Sequence, residues 1–183
     1  MTSFLEQIRQ IDYNLYYKLY FLAISNRYWA DFFYFFARYG IVFFFLTFVY
    51  LIFLKRINAF LASLLAMGIA GTADLLISLF WSRPRPFITH HDLMTPITKG
   101  LTVDATSFPS GHTYIVFAIA ISVYLYGHRR LGLVLFVLAI IVGLSRIGAG
   151  LHYPSDVIGG ALLGLASCMI AYLVVEKLEN YWE

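Results

Sequence analysis

"FFYFFARYGIVFFFLTFVYLIFL", residues 32–54, decides what kind of molecule this is. Its one charge is Arg38, and Lys55 and Arg56 close it. A bilayer core of about 30 Å is crossed by about 20 apolar residues in helical form. A helix also satisfies its own backbone hydrogen bonds, which lipid cannot do for it. The stretch therefore predicts a membrane-crossing helix. A second run over 57–80 follows at once, with Asp74 as its single carboxylate, and further runs cover 111–126, 131–145 and 157–175. Across the 183 residues 61% are hydrophobic and 13% charged, against about a quarter charged in soluble domains. The expected fold is all-α: a polytopic integral membrane helix bundle with about five or six helices, forming one domain over 1–183.

Residues 1–29 are different. Phe4, Ile8, Ile11, Leu15 and Leu19 recur at spacings of three and four among charged residues, which predicts an amphipathic helix. Its tyrosines and Trp29 suit a membrane–water interface. Glu6, Arg9 and Asp12 set it apart from a cleavable signal peptide. The lone Cys168 excludes an intramolecular disulfide and reads as a small core or lipid-facing residue. A net charge of +3 is too small to argue for nucleic acid; basic residues in such a chain set topology.

"WSRPRPF", residues 81–87, ends the second run, because paired prolines remove donors and clash with the preceding turn. Residues 83–108 read as an outer loop, in which His90, His91, Lys99 and Asp104 are expected to be solvated. Asp74 is expected to be an internal hydrogen-bond partner, with Arg38 on the preceding span as one candidate. Lys55–Arg56 and His128–Arg129–Arg130 close two short loops without acidic residues, so both belong in the cytoplasm. By alternation "SRPRPF", "PSGH" (109–112) and "SRIGAGLHYPSD" (145–156) emerge together on the opposite face.

The polar residues of those segments are Arg83, Arg85, Ser110, His112, Arg146, His152 and Asp156. Arginine offers a planar, permanently charged fork that matches phosphate oxygens. Ser110 and Gly111 open a helix, whose unpaired N–H groups and dipole favour an anion. The ligand these residues predict is a phosphate group. The histidines point to reaction: one helical turn from His152, the Asp156 carboxylate would reach Nδ1, fix the tautomer and leave Nε2 as nucleophile. His112, from another helix start, would act as general acid and then base. The arginines supply the charge stabilisation, so no metal or cofactor is called for.

Arg85–Pro86, "PSGH" and "SRIGAGLHYPSD" resemble, in order, the three signature motifs of the type 2 phosphatidic acid phosphatase superfamily. The third is Ser-Arg, five residues, His, three residues, Asp, and every fixed position is met. The resemblance implies His152 as nucleophile, Asp156 as its orienting partner and His112 as acid and base. It also implies that Arg85, Arg146, Ser110 and the Gly111 amide hold phosphate. One departure stands out: the first motif usually begins with lysine seven residues before its arginine, and here that position is Ser78. Arg83 is the candidate for the missing charge. A first motif without the lysine, ending "PRPF", is similar to the bacterial undecaprenyl-diphosphatase branch. That likeness implies an inner-membrane enzyme with a periplasmic site, releasing phosphate from undecaprenyl diphosphate. Lipid A 1-phosphatase, phosphatidylglycerophosphate phosphatase and phosphatidic acid phosphatase remain alternatives. A lipid-phosphate binder without turnover is the reading from a different class. Intact His112, His152 and Asp156 argue against it.

Overall fold

The computed structural model describes residues 4–90, 97 and 106–182; His91, Lys99 and Asp104 lie outside them. The described residues form seven helices: α1 (Phe4–Ile24), α2 (Arg27–Phe53), α3 (Ile57–Phe80), α4 (Pro86–Thr89), α5 (Gly111–Leu125), α6 (Arg129–Gly148) and α7 (Pro154–Trp182). The expected all-α bundle is the fold observed. Four helices, α2, α3, α6 and α7, are long and apolar enough to cross a membrane, and α5 is a shorter apolar helix. The chain is a multi-pass membrane protein.

The arrangement follows from where each helix puts its apolar surface. In α2, α3 and α7 only 28%, 22% and 28% of the apolar window is buried within the protein. Their outward side chains, such as Phe53, Leu75, Leu79 and Leu162, are solvated by lipid, which is as apolar as they are. α5 is the opposite case. It packs against α2, α3, α6 and α7 and buries Val116, Ala118, Ile119, Ala120 and Val123. Around it Phe44 and Leu51 of α2, Ala59 of α3 and Leu135, Ala139 and Val142 of α6 complete the core.

Contact between α5 and α7 depends on two small residues one turn apart. A Cβ on Gly160 would lie 2.6 Å from the Ser110 carbonyl oxygen, and one on Gly164 the same distance from that of Tyr114. Small residues at this spacing let two helix backbones touch where lipid gives no hydrophobic drive for association. That contact fixes where the first turn of α5 sits relative to the first turn of α7.

One expectation gains a direction and another changes. α1 is amphipathic, with its apolar stripe outward: Ile8, Ile11 and Leu15 are exposed, whereas Asp12, Tyr16, Tyr20 and Ala23 are buried. Tyr16 and Tyr20 pack with Ile147 and Tyr153. Beside a bilayer, the apolar side of an amphipathic helix gains by facing lipid, so the polar and aromatic side is the one that docks. The run expected over 131–145 is also longer at both ends, and Arg146 lies in the last turn of α6 instead of a loop. Helix α6 ends only where Gly150 adopts φ +80°. Gly150 N–H donates to Ile147 O and Leu151 N–H to Arg146 O, the two bonds of a Schellman stop.

Candidate active site

That stop aims His152. The chain leaves α6 at Gly150, and Pro154 occupies the first position of α7, where a missing N–H costs nothing. Asp156, in the first turn of α7, reaches back so that Oδ2 accepts the Tyr153 N–H at 2.8 Å, half of a capping box. His152 is thus held between two helix ends and is only 2% exposed.

Its ring nitrogens have distinct partners. Nδ1 lies 2.8 Å from the carbonyl oxygen of Ser107, and Nε2 lies 3.0 Å from Arg85 Nη1. A guanidinium only donates, so Nε2 is the acceptor and the proton sits on Nδ1, donated to Ser107 O. Burial, with the positive charges of Arg146 and Arg85 behind it, holds the imidazole well below the ordinary histidine pKa. His152 is therefore neutral, with its lone pair on Nε2 and that nitrogen turned toward an arginine.

The expected partnership with Asp156 takes a different form. Its Oδ2 is 3.9 Å from Nδ1, too far for a hydrogen bond. Instead Asp156 accepts from the Ser107 hydroxyl at Oδ2 and from Arg83 Nη1 at Oδ1, 2.8 Å away. Ser107 stands between the two residues: its carbonyl takes the imidazole proton and its hydroxyl binds the carboxylate. Nothing in a side-chain pattern marks a backbone acceptor, and Ser107 was not among the residues expected at the site.

Arg83, expected among the phosphate-binding groups, is engaged by carboxylates. Nη1 binds Asp156 and Nη2 binds Asp12 Oδ2 at 2.7 Å, while the guanidinium lies 4.0 Å over the Tyr153 ring. Burial opposes its charge, but the two carboxylates outweigh burial and raise its pKa. Both Nη groups of this arginine are thus taken up by carboxylates.

The remaining candidates gather on that side. Arg85, at the N-cap of α4, is 7% exposed and also donates to the Leu151 carbonyl at 3.2 Å. Arg146 is 3% exposed, donates from Nη1 to Ala37 O at 2.8 Å, and its Nε has no hydrogen-bond partner among the described residues. His112, in the first turn of α5, is within electrostatic reach of Arg146, Arg85 and His152. Ser110 caps α5 without a side-chain bond to its amides, and its own N–H donates to the Asp156 carbonyl at 3.0 Å. Gly111 is half-buried. The first amides of α5 thus remain available to an anion. Of the sequence candidates, Arg85, Arg146, His112, His152 and Ser110–Gly111 converge, while Arg83 and Asp156 support from behind.

Asp74 is outside this group. Its carboxylate bonds to the Tyr114 hydroxyl, not to Arg38, which is exposed and lies over the Tyr34 and Tyr39 rings at 5.8 and 5.6 Å.

An all-helical membrane bundle in which three separate polar segments meet around a neutral histidine and two buried arginines defines a class of multi-pass proteins with an anion-receptive end. The chain belongs to the PAP2 superfamily, whose sequence profile matches residues 59–180. Among curated relatives it is 39% identical over 104 residues to undecaprenyl-diphosphatase BcrC of Bacillus subtilis (strain 168), covering 54% of this chain and 50% of that one. It is 34% identical over 117 residues to bacitracin transport permease protein BcrC of Bacillus licheniformis, covering 64% and 56%. The chain thus spans about half the length of the curated relatives it matches. Among solved structures, LpxE of Aquifex aeolicus superposes with a TM-score of 0.73 at 27% identity, covering 88% of this chain and 94% of that one.

Proposed function

We propose that this protein is a lipid phosphatase that cleaves undecaprenyl diphosphate to undecaprenyl phosphate and inorganic phosphate, without a metal. The observation that carries the reading is the pair of contacts on the His152 ring, Nδ1 at Ser107 O and Nε2 at Arg85 Nη1. Because a guanidinium only donates, they put the proton on Nδ1 and the lone pair on Nε2. In the first step Nε2 attacks the terminal phosphorus and the bond from phosphorus to the bridging oxygen breaks. His112 protonates the departing lipid phosphate. In the second, water attacks the phosphohistidine with His112 as base, the P–N bond breaks and phosphate leaves. Arg85, Arg146 and the first amides of α5 bind the phosphoryl oxygens, where charge builds in both transition states.

Relatives named as undecaprenyl-diphosphatases support the substrate. The site belongs on the periplasmic face of a bacterial inner membrane, because Lys55, Arg56, Arg129 and Arg130 all lie at the other ends of the helices that carry it and basic loops stay in the cytoplasm. A second reading, lipid A 1-phosphatase, is favoured by the LpxE likeness, which extends over nearly all of that chain. The test is phosphate release by the purified protein in detergent with EDTA, comparing undecaprenyl diphosphate, lipid A and phosphatidylglycerophosphate. Fastest release from undecaprenyl diphosphate, lost in His152→Ala, supports the proposal. Faster release from lipid A would replace the substrate, and binding without release from any lipid would leave a binder.

A further inference from the structure

Asp12 is a buried carboxylate on a helix that the PAP2 match, which begins at residue 59, does not cover. It is 7% exposed and makes three hydrogen bonds, none within its own helix. Oδ2 accepts from Arg83 Nη2 at 2.7 Å and from Ser155 Oγ at 2.7 Å, and Oδ1 accepts the Ser155 N–H at 2.8 Å. Ser155 is in the first turn of α7, so its amide is one of those a helix cannot satisfy internally. A carboxylate there also meets the positive end of the helix dipole. Asp12 therefore caps α7 from across the protein.

The same carboxylate divides Arg83. One fork of the guanidinium goes to Asp12, the other to Asp156 Oδ1 at 2.8 Å and Ser155 Oγ at 2.6 Å. Asp156 in turn holds the Ser107 hydroxyl, and Ser107 O holds His152 Nδ1. Each link is a charge-assisted or buried bond, the kind whose loss leaves a group desolvated and unpaired. With Asp12 neutral, Arg83 Nη2 loses its carboxylate and only the Nη1 bonds to Asp156 and Ser155 still hold the guanidinium in this set.

We infer that Asp12 is a positioning residue of the reaction: through Arg83 and Ser155 it fixes Asp156 and Ser107, and so the ring of His152, tying catalysis to the docking of the interfacial helix α1. The inference rests on the reading of His152 as nucleophile. It also removes Arg83 as the stand-in for the lysine that Ser78 replaces, since Arg83 braces the site instead of holding phosphate.

The test is steady-state kinetics of Asp12→Asn, Asp12→Glu, Arg83→Gln and the double variant Asp12→Asn/Arg83→Gln on the full chain in detergent. Undecaprenyl diphosphate is the substrate, rates are scaled to folded protein, and Asn14→Ala, exposed on the same helix, is the control. Asp12→Asn is expected to lower kcat about tenfold to a hundredfold, as removal of an outer support does, with KM changing less than about threefold. Asp12→Glu should recover part of the loss, and the double variant should be no slower than the slower single one, since groups acting as a unit are non-additive. Folded Asp12→Asn with kcat within about twofold of wild type, as allowed for a surface change, would overturn the inference. So would Arg83→Gln that raises KM while sparing kcat, because that marks phosphate binding. Arg83→Gln also decides the matter should Asp12→Asn fail to fold. Failure of the underlying reading looks different: His152→Ala would keep its activity whatever Asp12 does, and both claims would fall together.

Discussion

α3 and α5 are both continuous apolar helices, yet they do unlike work. α3 has 24 residues and gives most of its surface to lipid; α5 has 15 and buries seven of them. At 1.5 Å per residue α5 rises about 22 Å, short of the roughly 30 Å hydrocarbon core. One of its ends must lie inside the slab. Irregular backbone is tolerated there only when protein surrounds it, and Ser107, Pro109 and Ser110 ahead of α5 are buried. A long helix shapes the protein against lipid, whereas a short central one stops early and presents its polar N-terminus to a sheltered site.

The sharpest way to break that contrast is to separate α5 from α7. Gly164→Val would push a side chain against the Tyr114 carbonyl and the Ala118 amide. The expected cost is about 3 kcal/mol, the upper end for overpacking, read as a lower Tm in detergent and loss of phosphate release. Unchanged Tm would show that the helices do not need to touch.

Next come the supports behind His152. Asp156→Asn should lower kcat more than Ser107→Ala, because the carboxylate binds Arg83, Ser107 and the Tyr153 amide together. Ser107→Ala keeps the carbonyl that holds Nδ1. We expect at least about a hundredfold loss for the first and about tenfold for the second, with KM little changed. The reverse order in kcat would remove Asp156 from its place in the chain of supports.

Acid should then act at the site before it acts at the lipid face. His152 is held well below 6.5, the ordinary value for histidine. The native state therefore keeps it neutral while the unfolded chain takes up a proton as pH falls through 6.5. Stability contributed by His152 declines on acidification below that value. The histidine limb of kcat/KM should lie at lower pH still, where the free protein finally protonates it. A limb at 6.5 or above that persists in His112→Ala would contradict the burial described.

The smallest effect belongs to α3. Leu79 is 69% exposed, so Leu79→Ala should change stability by about 0.5 kcal/mol or less and leave kcat alone. A large loss would mean that lipid is not what covers this face.

Much of this was legible in the residues. Hydropathy alone predicted 57–80, now α3, and motif spacing brought Arg85, His112, Arg146 and His152 to one end. What escaped had physical reasons. The Ser107 carbonyl has no side-chain signature. The Asp12–Ser155 contact joins positions 143 apart in the chain, beyond any local pattern. The stripe of Ile8, Ile11 and Leu15 was visible, but its direction depends on whether water or lipid lies outside. Arg83 looked like a phosphate ligand because its two carboxylate partners come from opposite ends of the chain.

The central claim is a covalent bond between His152 and phosphorus. A diphosphate substrate has a good leaving group, so the first step needs the acid less than the second needs the base, and His112→Ala should let the intermediate accumulate. The direct measurement is to incubate His112→Ala with undecaprenyl diphosphate labelled in its terminal phosphate, quench in alkali and locate the label by mass spectrometry. The account predicts an acid-labile, base-stable phosphoryl group on His152, absent from the double variant His112→Ala/His152→Ala. Slow phosphate release from the single variant with no label on His152 at any time would contradict it and point to direct attack by water.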